Sequence, residues 1–175
     1  MLVVRFQVEP APTVLELHEL EVTLPRSDFD AEVAAAELWG RNRARAAGLA
    51  PPRVRRVNSV LDVAAAVSLA SGIPIGVLDL DKVVGAIEVR LGRKGESYAA
   101  GAGRKLAVAG EVVVADGVAV CSSAKGDGLR TAVHLDTTRA AWVFYHEPAP
   151  SLLSRTAELL ALHGRGLMRL AEVAT

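Results

Sequence analysis

Residues 59–71, SVLDVAAAVSLAS, would carry apolar side chains around almost the whole circumference of a helix, and this constrains the fold more than any other feature. Asn58 and Ser59 open the segment and Asp62 follows three residues after Ser59, a pattern typical of a capping box at a helix N-terminus. Gly72 is a suitable C-terminal stop. Because a helix without a polar face has to be buried, the sequence predicts a central helix that the rest of the chain covers.

The other segments alternate between strand-like and helix-like patterns. We predict an opening hairpin or strand pair, four later strands with a hairpin turn at Asp116-Gly117 in their midst, and two further helices. The strands are expected over 2–8, 14–24, 84–91, 111–115, 118–121 and 140–146. The helices are expected from Ser27 or Asp28 to about Ala47, stopped by Gly48 and facing the core with Phe29, Val33, Ala36 and Leu38, and from about Ser151 to His163. This order indicates an α+β fold, and 175 residues with 51% hydrophobic content suit a single domain.

Charge is distributed unevenly along a chain whose net charge is zero. Residues 1–40 hold eight acids and two arginines, a net charge of −6, whereas residues 41–56 hold six arginines and no acid, a net charge of +6. The arginines either pair with the acidic first third or form an exposed cationic face that contacts a polyanion. We expect the exposed face, made by Arg41, Arg43, Arg45, Arg53, Arg55 and Arg56.

Several motifs occur in a familiar order between residues 35 and 165. The run from Ser59 to Lys82 contains Leu61-Asp62, Gly72, Pro74 and Asp79-Leu80-Asp81-Lys82. It is followed by Ile87 to Arg90 with Gly95-Glu96, by Gly110 to Asp116, and by Arg130-Thr131 and Thr137-Thr138-Arg139. These motifs resemble the tRNA-editing domain, or B-three/four domain, of the phenylalanyl-tRNA synthetase β subunit. The Trp39 to Gly48 helix and the glycine at position 76 resemble its solitary, free-standing branch.

The resemblance implies a three-layer domain with a β-sandwich flanked by helices and a pocket in which a misactivated amino acid is hydrolysed from tRNA. We expect that pocket between the N-terminal half of the central helix, the loop 73–79 and the polar turn 122–128. Small residues occupy several places where the synthetase has larger polar ones, so the cavity should be more apolar and weakly discriminating. The implied pocket residues are Ala64, Ala65, Gly76, Asp79, Gly126, Gly128, Arg130, Thr131 and Val143.

Ester hydrolysis needs an oriented water and hydrogen-bond donors for the developing oxyanion, which backbone amides of a glycine-rich turn can supply. The catalytic candidates lie on the turn after Cys121, and an ordinary surface turn would contain the same residue types: Ser122, Ser123, Lys125 and Asp127. Asp79 and Asp81 are two residues apart and would share a face of a strand, as paired carboxylates or a metal site require, although a structural role is the alternative.

These observations favour a tRNA-associated protein, with trans-acting deacylation of mischarged tRNA as its expected activity. A non-catalytic tRNA-binding or interaction module and a small-molecule or amino-acid-binding protein that reuses the pocket are the alternatives. We expect tRNA rather than DNA as the partner, no cofactor, no metal and no membrane span. A single cysteine, Cys121, and the lack of a leader-like start indicate a cytoplasmic protein.

Overall fold

Three helices form one layer of the protein: α1 (Asp30–Ala46), α2 (Ser59–Ser71) and α3 (Pro150–His163). The computed structural model describes the backbone of residues 2–173 and the side chains of residues 2–171. Pro150 occupies the first turn of α3, where the N–H that proline lacks would have no partner within the helix. Gly72 follows α2 in the left-handed conformation, at φ 79°, and so ends that helix as predicted.

Within residues 2–173, twelve strands form a six-stranded, a four-stranded and a two-stranded sheet. They are β1 (Val3–Phe6), β2 (Thr13–His18), β3 (Ile75–Asp79), β4 (Ile87–Leu91), β5 (Ser97–Ala99), β6 (Lys105–Ala107), β7 (Val112–Ala115), β8 (Val120–Ser123), β9 (Gly126–Asp127), β10 (Ala140–Phe144), β11 (Leu167–Leu170) and β12 (Glu172–Val173). The six-stranded sheet has the order β12-β1-β4-β7-β8-β9, the four-stranded sheet has the order β11-β2-β10-β3, and β5 pairs with β6. β1 runs parallel to β4 and β12, and the other pairs are antiparallel.

The four-stranded sheet is the middle layer, and its strand β10 is buried on both faces. Trp142 and Phe144 pack against the helices, whereas Ala141 and Val143 pack against the six-stranded sheet. On the outer face of the six-stranded sheet, Tyr98 of β5 joins a third apolar cluster with β7 and β8. The fold is therefore the expected α+β arrangement of three layers, with a β-sandwich covered by helices on one side.

The central helix α2 begins and ends at the predicted residues, and its valines at 60, 63 and 67 are buried. Its cap differs from the capping box inferred from the sequence. The Asn58 side chain accepts a hydrogen bond from the Leu61 N–H at 2.9 Å, and the Asp62 carboxylate accepts one from the Val57 N–H at 2.8 Å. Leu61 is only partly buried, because it borders a cavity on the surface of α2.

The opening strands do not pair with each other, so the predicted hairpin is wrong. β1 lies beside β4 in the six-stranded sheet, while β2 lies beside β10 in the four-stranded sheet. Apolar residues explain this placement of β2, since Val14 packs between the two sheets and Leu15 and Leu17 pack beneath the helices. A strand with two apolar faces is stable only between two layers.

The first helix also differs in detail from its prediction. A short 3₁₀ turn at 27–29 precedes it, and neither Ser27 nor Asp28 caps it, because Asp28 instead pairs with Arg26 at 2.6 Å. Leu38 points to solvent and is 52% exposed, rather than facing the core. None of the helices within residues 2–173 has the length and apolar run needed to cross a bilayer.

Candidate active site

A cavity of about 360 Å³ lies between α2, β3, the segment before α2 and the turn that contains β9. Apolar residues form most of its wall, and polar groups enter from two sides. The lining residues are Arg53, Val54, Arg55, Leu61, Ala64, Ala65, Ser68, Leu69, Ile75 and Asp127. The structure thus brings together the three segments from which the sequence predicted a pocket.

One face of α2 supplies half of this wall. Leu61, Ala65 and Ser68 are spaced by three and four residues, which places them on the same side of a helix. Ala64 and Ala65 leave open space on that side of the helix, because an alanine side chain is a single methyl group. The cavity exists because these small side chains stand opposite Ile75 and Asp127.

Asp127 is the acidic group of the cavity, and two hydrogen bonds hold its carboxylate. Oδ1 accepts from the Ser122 hydroxyl at 2.6 Å, and Oδ2 accepts from the Val77 N–H of β3 at 3.0 Å. Burial raises the pKa of Asp127 to about 6, against the lowering effect of both hydrogen bonds. The carboxylate is therefore mostly ionised at neutral pH, and it is a stronger base than an exposed aspartate.

A chain of buried hydroxyl groups fixes this carboxylate. The Tyr145 hydroxyl donates to the Ser122 Oγ at 2.8 Å, and Ser122 in turn donates to Asp127. Burial raises the pKa of Tyr145 well above its usual value, so this phenol keeps its proton. A second tyrosine, Tyr98, donates to the Gly126 carbonyl and contacts the Ser123 Oγ at 2.9 Å. Both ends of the turn that carries Asp127 are thereby anchored.

Gly76 is the residue of β3 that makes room for this chain. A Cβ atom at position 76 would lie 2.5 Å from the Ser122 Oγ and 2.9 Å from the Asp127 Oδ1. Both distances are well inside van der Waals contact, and Ser122 is fully buried while Asp127 is held by its hydrogen bonds. A larger residue at position 76 is therefore incompatible with the observed position of Ser122 and Asp127.

The catalytic candidates occupy very different environments. Asp127 lines the cavity, but Ser122 and Ser123 are almost completely buried behind it. β8 extends through both serines, and this strand packs against β3 and β5. Lys125 is exposed and pairs with Glu111 at 3.0 Å, outside the cavity.

The remaining pocket residues predicted from the resemblance divide into two groups. Ala64 and Ala65 line the cavity, and Gly76 and Gly126 contact the groups that hold Asp127. The others have structural contacts elsewhere: Val143 is buried between the sheets, Thr131 is buried, Gly128 packs on the Cys121 carbonyl, Arg130 pairs with Asp116 at 2.7 Å, and Asp79 binds Thr137 and Lys82.

Asp79 and Asp81 do not form a carboxylate pair. Asp79 is buried, accepts from the Thr137 hydroxyl at 2.7 Å and lies 2.9 Å from the Lys82 Nζ. Asp81 is exposed, and its N–H donates to Asp79 at 3.0 Å. In residues 2–171, the structure places no three His, Cys, Asp or Glu side chains so that they could hold a metal ion. The contacts of Asp79 and Asp81 therefore agree with the structural role that was the alternative for this loop.

The arginines of residues 41–56 are exposed as predicted, with one exception. Arg56 is half-buried and pairs with Asp30 and, at 2.7 Å, with Asp62. The other five are exposed, and among the described side chains they make no ion pair. Arg43 donates to the Ala70 carbonyl at 2.9 Å. Arg53 and Arg55 lie on the rim of the Asp127 cavity, a position that the sequence did not indicate.

Sequence reasoning missed Tyr145, Ser68 and the cavity position of the two arginines. Tyr145 directly follows the buried strand β10. A tyrosine at the end of such a strand needs a partner for its hydroxyl, which is a signal for a buried polar network. Ser68, a polar residue in an otherwise apolar helix, marks the side of α2 that opens to solvent.

Comparison with known proteins agrees with this architecture. A sequence model of the B3/4 domain matches residues 32–170. The phenylalanine–tRNA ligase β subunit of Cupriavidus pinatubonensis (strain JMP 134 / LMG 1197) is 38% identical over 109 residues, which are 60% of this chain and 12% of that protein. The crystal structure of an N-terminal fragment of the phenylalanyl-tRNA synthetase β subunit from Pyrococcus horikoshii has a TM-score of 0.60 and 14% identity, over 99% of this chain and 51% of the fragment.

These findings carry different weight. The Pyrococcus fragment establishes the shared fold, and the chain spans only a small part of the Cupriavidus protein. The domain match covers most of this chain, including nearly all of α1, the whole of α2 and α3, and the residues that line the Asp127 cavity. The resemblance found in the sequence motifs is thereby confirmed, and the chain belongs to the B3/4 domain family.

Proposed function

We propose that this chain is a trans-acting deacylase that hydrolyses the aminoacyl ester of mischarged tRNA. The observation that carries the proposal is the Asp127 carboxylate, held by Ser122 and Val77 at the wall of a 360 Å³ cavity. An ester substrate placed in this cavity would present its carbonyl carbon close to a base that is ionised at neutral pH. The chain's relation to a tRNA ligase subunit supplies the substrate class.

The reaction assigned to this site is general-base hydrolysis. Asp127 takes a proton from a water molecule as that water attacks the ester carbonyl carbon. The tetrahedral intermediate carries a negative oxygen, and Arg53 and Arg55 on the cavity rim supply positive charge close to it. Collapse of the intermediate breaks the bond to the ribose oxygen, which takes the proton that Asp127 removed from the water, so the carboxylate is regenerated. The products are a free amino acid and uncharged tRNA.

The apolar wall sets the selectivity expected of this enzyme. Leu61, Ala64, Ala65 and Ile75 would contact the amino-acid side chain without reading a specific polar group. A wall of this kind discriminates by about 1–3 kcal/mol per methylene and does not strongly reject an added hydroxyl. The deacylase should therefore accept several amino acids of similar size.

The exposed arginines fit the polyanionic part of the same substrate. Arg41, Arg43, Arg45, Arg53 and Arg55 all lie on α1 or on the segment that leads to the cavity. Phosphate contacts by these residues would release counterions, so affinity for tRNA should fall steeply with salt concentration. The affinity for a free amino acid would not show this dependence.

Hydrolysis of a panel of mischarged tRNAs tests the proposal. The wild-type protein should deacylate some of the panel faster than buffer alone, and Asp127→Asn should reduce the rate at least 100-fold because the base is lost. Asp136→Asn, the same change at an exposed residue, is the matched control and should leave the rate unaltered. A wild-type rate equal to that of buffer for every tRNA, or an Asp127→Asn rate within twofold of wild type, would contradict the proposal.

The small side chains of Ala64 and Ala65 in the cavity wall also favour a second candidate, a non-catalytic module that binds tRNA or a free amino acid. Ala64 and Ala65 leave Asp127 and Ser68 as the polar side chains of the inner cavity. Binding of tRNA or an amino acid without hydrolysis would identify this alternative. Calorimetry with the Asp127→Asn protein then distinguishes the two ligands, since only tRNA binding should weaken with salt.

A further inference from the structure

A second cleft, of about 410 Å³, lies at the C-terminal end of α1 and is lined by Arg41, Asn42, Arg45, Leu49 and Pro51. Leu49 is 69% exposed, and Pro51 is exposed beside it, so the cleft has an apolar floor open to water. Two guanidinium groups and one carboxamide border that floor.

The positive charge of this cleft is not neutralised by acids. Among the described side chains, the ion pairs of the arginines at 41–56 are confined to Arg56. The C-terminus of α1 contributes about half a negative charge, which offsets only part of the two positive charges of Arg41 and Arg45. Because these arginines are four residues apart on one helix, their side chains leave the same side of α1. The cleft therefore presents a net positive charge to one ligand.

This cleft adjoins the Asp127 cavity. Pro51 lines the cleft and Arg53 lines the cavity, and two residues of chain span at most about 7 Å. Pro52 between them packs on Gly40 of α1, beside Leu69 of α2, since a Cβ at Gly40 would lie 3.0 Å from the Pro52 Cγ and 2.7 Å from the Leu69 Cγ. The separation of the two sites is thus fixed by packing.

We propose that the cleft binds a nucleotide of the single-stranded 3′ end of tRNA, next to the nucleotide that carries the amino acid. The base lies on Leu49 and Pro51, Arg41 and Arg45 contact the phosphates, and the Asn42 amide contacts the base edge. An apolar floor with cations on one side matches a nucleotide, which has a flat base and an anionic backbone. The identity of this ligand rests on the proposed function, since it assumes that the ester in the neighbouring cavity belongs to tRNA.

Binding of the trinucleotide CCA, the 3′ end of tRNA, tests this assignment without requiring catalysis. The double variant Arg41→Gln/Arg45→Gln should bind CCA at least tenfold more weakly, and its salt slope should fall by about 1.4, or 0.7 for each lost phosphate contact. Leu49→Ala should weaken binding about threefold or more at unchanged salt slope, because it removes the floor but no charge. Circular dichroism should show the same fold in every variant, since these residues are exposed.

The matched control is Arg5→Gln/Arg93→Gln, which removes the same charge. These two arginines line another cleft of about 410 Å³, between β1, β4 and the turn before β8. Binding of CCA by this variant within twofold of wild type supports the assignment. Equal losses in the two double variants would show a non-specific charge effect and overturn it, as would binding of CCA by Arg41→Gln/Arg45→Gln within twofold of wild type.

The two proposals can fail separately. If the wild-type protein deacylates tRNA but CCA binding does not depend on Arg41 and Arg45, the nucleotide site is wrong and the deacylase stands. If CCA binding depends on these arginines but no tRNA is deacylated, the nucleotide site stands and the catalytic proposal is wrong.

Discussion

Replacing Asp127 by asparagine should stabilise the protein while it removes catalysis. The substitution keeps the shape of the side chain and eliminates a negative charge on a partly buried group at the cavity wall. The carboxamide oxygen can still accept from the Val77 N–H, and its NH₂ group can donate to the Ser122 Oγ, which has lone pairs for this bond and for Tyr145. The loss of one acceptor hydrogen bond costs about 1 kcal/mol.

The size of the stabilisation follows from the pKa of Asp127, which is about 6 in the fold against an ordinary value of 3.8. Between these values the native state keeps a proton that the unfolded chain has released, so the stability of the wild type falls as pH rises. The shift corresponds to about 3 kcal/mol at 1.36 kcal/mol per pKa unit. Most of this difference, about 2–3 kcal/mol, should appear between pH 4 and pH 8.

Urea unfolding at these two pH values measures the effect. The free energy of unfolding of Asp127→Asn minus that of wild type should be about 2–3 kcal/mol larger at pH 8 than at pH 4. The Asp136→Asn control should show no such increase, because Asp136 is exposed. A change below about 0.5 kcal/mol for Asp127→Asn would refute the argument that burial raises the pKa of this carboxyl group.

Three further predictions concern the surroundings of Asp127. Ser122→Ala removes a hydrogen bond that lowers the Asp127 pKa, so the acid limb of the pH–rate profile for kcat/KM should move to higher pH. An acid limb at the wild-type pH would contradict a role of Ser122 in positioning Asp127. Gly76→Ala should lower the free energy of unfolding by about 1–3 kcal/mol, measured by thermal unfolding, and should lower the deacylation rate, because its Cβ overlaps the Ser122 Oγ. Wild-type stability and activity would mean that β3 shifts to accommodate the methyl group. Leu78→Ala, in the buried sandwich, should cost about 2–5 kcal/mol, and Leu61→Ala, at the open cavity, less than half as much; equal losses would indicate that the cavity is closed in solution.

The elements that the sequence predicts best are those with local end signals. α2 begins and ends at the predicted residues because Asn58 can cap the first turn and Gly72 can adopt a left-handed conformation. Both effects involve residues within one helical turn. The turn at Asp116-Gly117 is similar, since the Asp116 carboxylate binds the N–H groups of Val118 and Ala119 inside the loop.

Strand partners and one buried strand could not be inferred in the same way. Residues 75–79 belong to the segment 73–79 that the family resemblance gave as a loop, yet they form β3 through pairing with β10 some 65 residues later. An alternating pattern identifies a strand but not the strand beside it. The opening hairpin was therefore predicted only from closeness in sequence, whereas the two apolar faces of β2 require a position between two layers. Both errors arise from contacts that are distant along the chain.

The site was predicted in outline and only partly in detail. The family resemblance brought the three cavity segments together, and Asp127 was among its candidates. The burial of Ser122 and Ser123 depends on β8 continuing to Ser123, which no residue in that run signals. The charge pattern indicated an exposed arginine face but not that Arg53 and Arg55 reach the cavity, because that depends on how 51–55 crosses between the helices.

The hydrogen bond between the Val77 N–H and Asp127 links the site to the backbone of β3. The resonance frequency of an amide proton responds strongly to the charge of its acceptor, so the Val77 signal in an ¹⁵N-labelled sample should titrate with the carboxyl group. A nuclear magnetic resonance titration would then follow the ionisation of Asp127 without substrate and without mutation. The same signal would register a ligand that enters the cavity and displaces water from the carboxylate, which gives a direct means of screening amino acids against this protein.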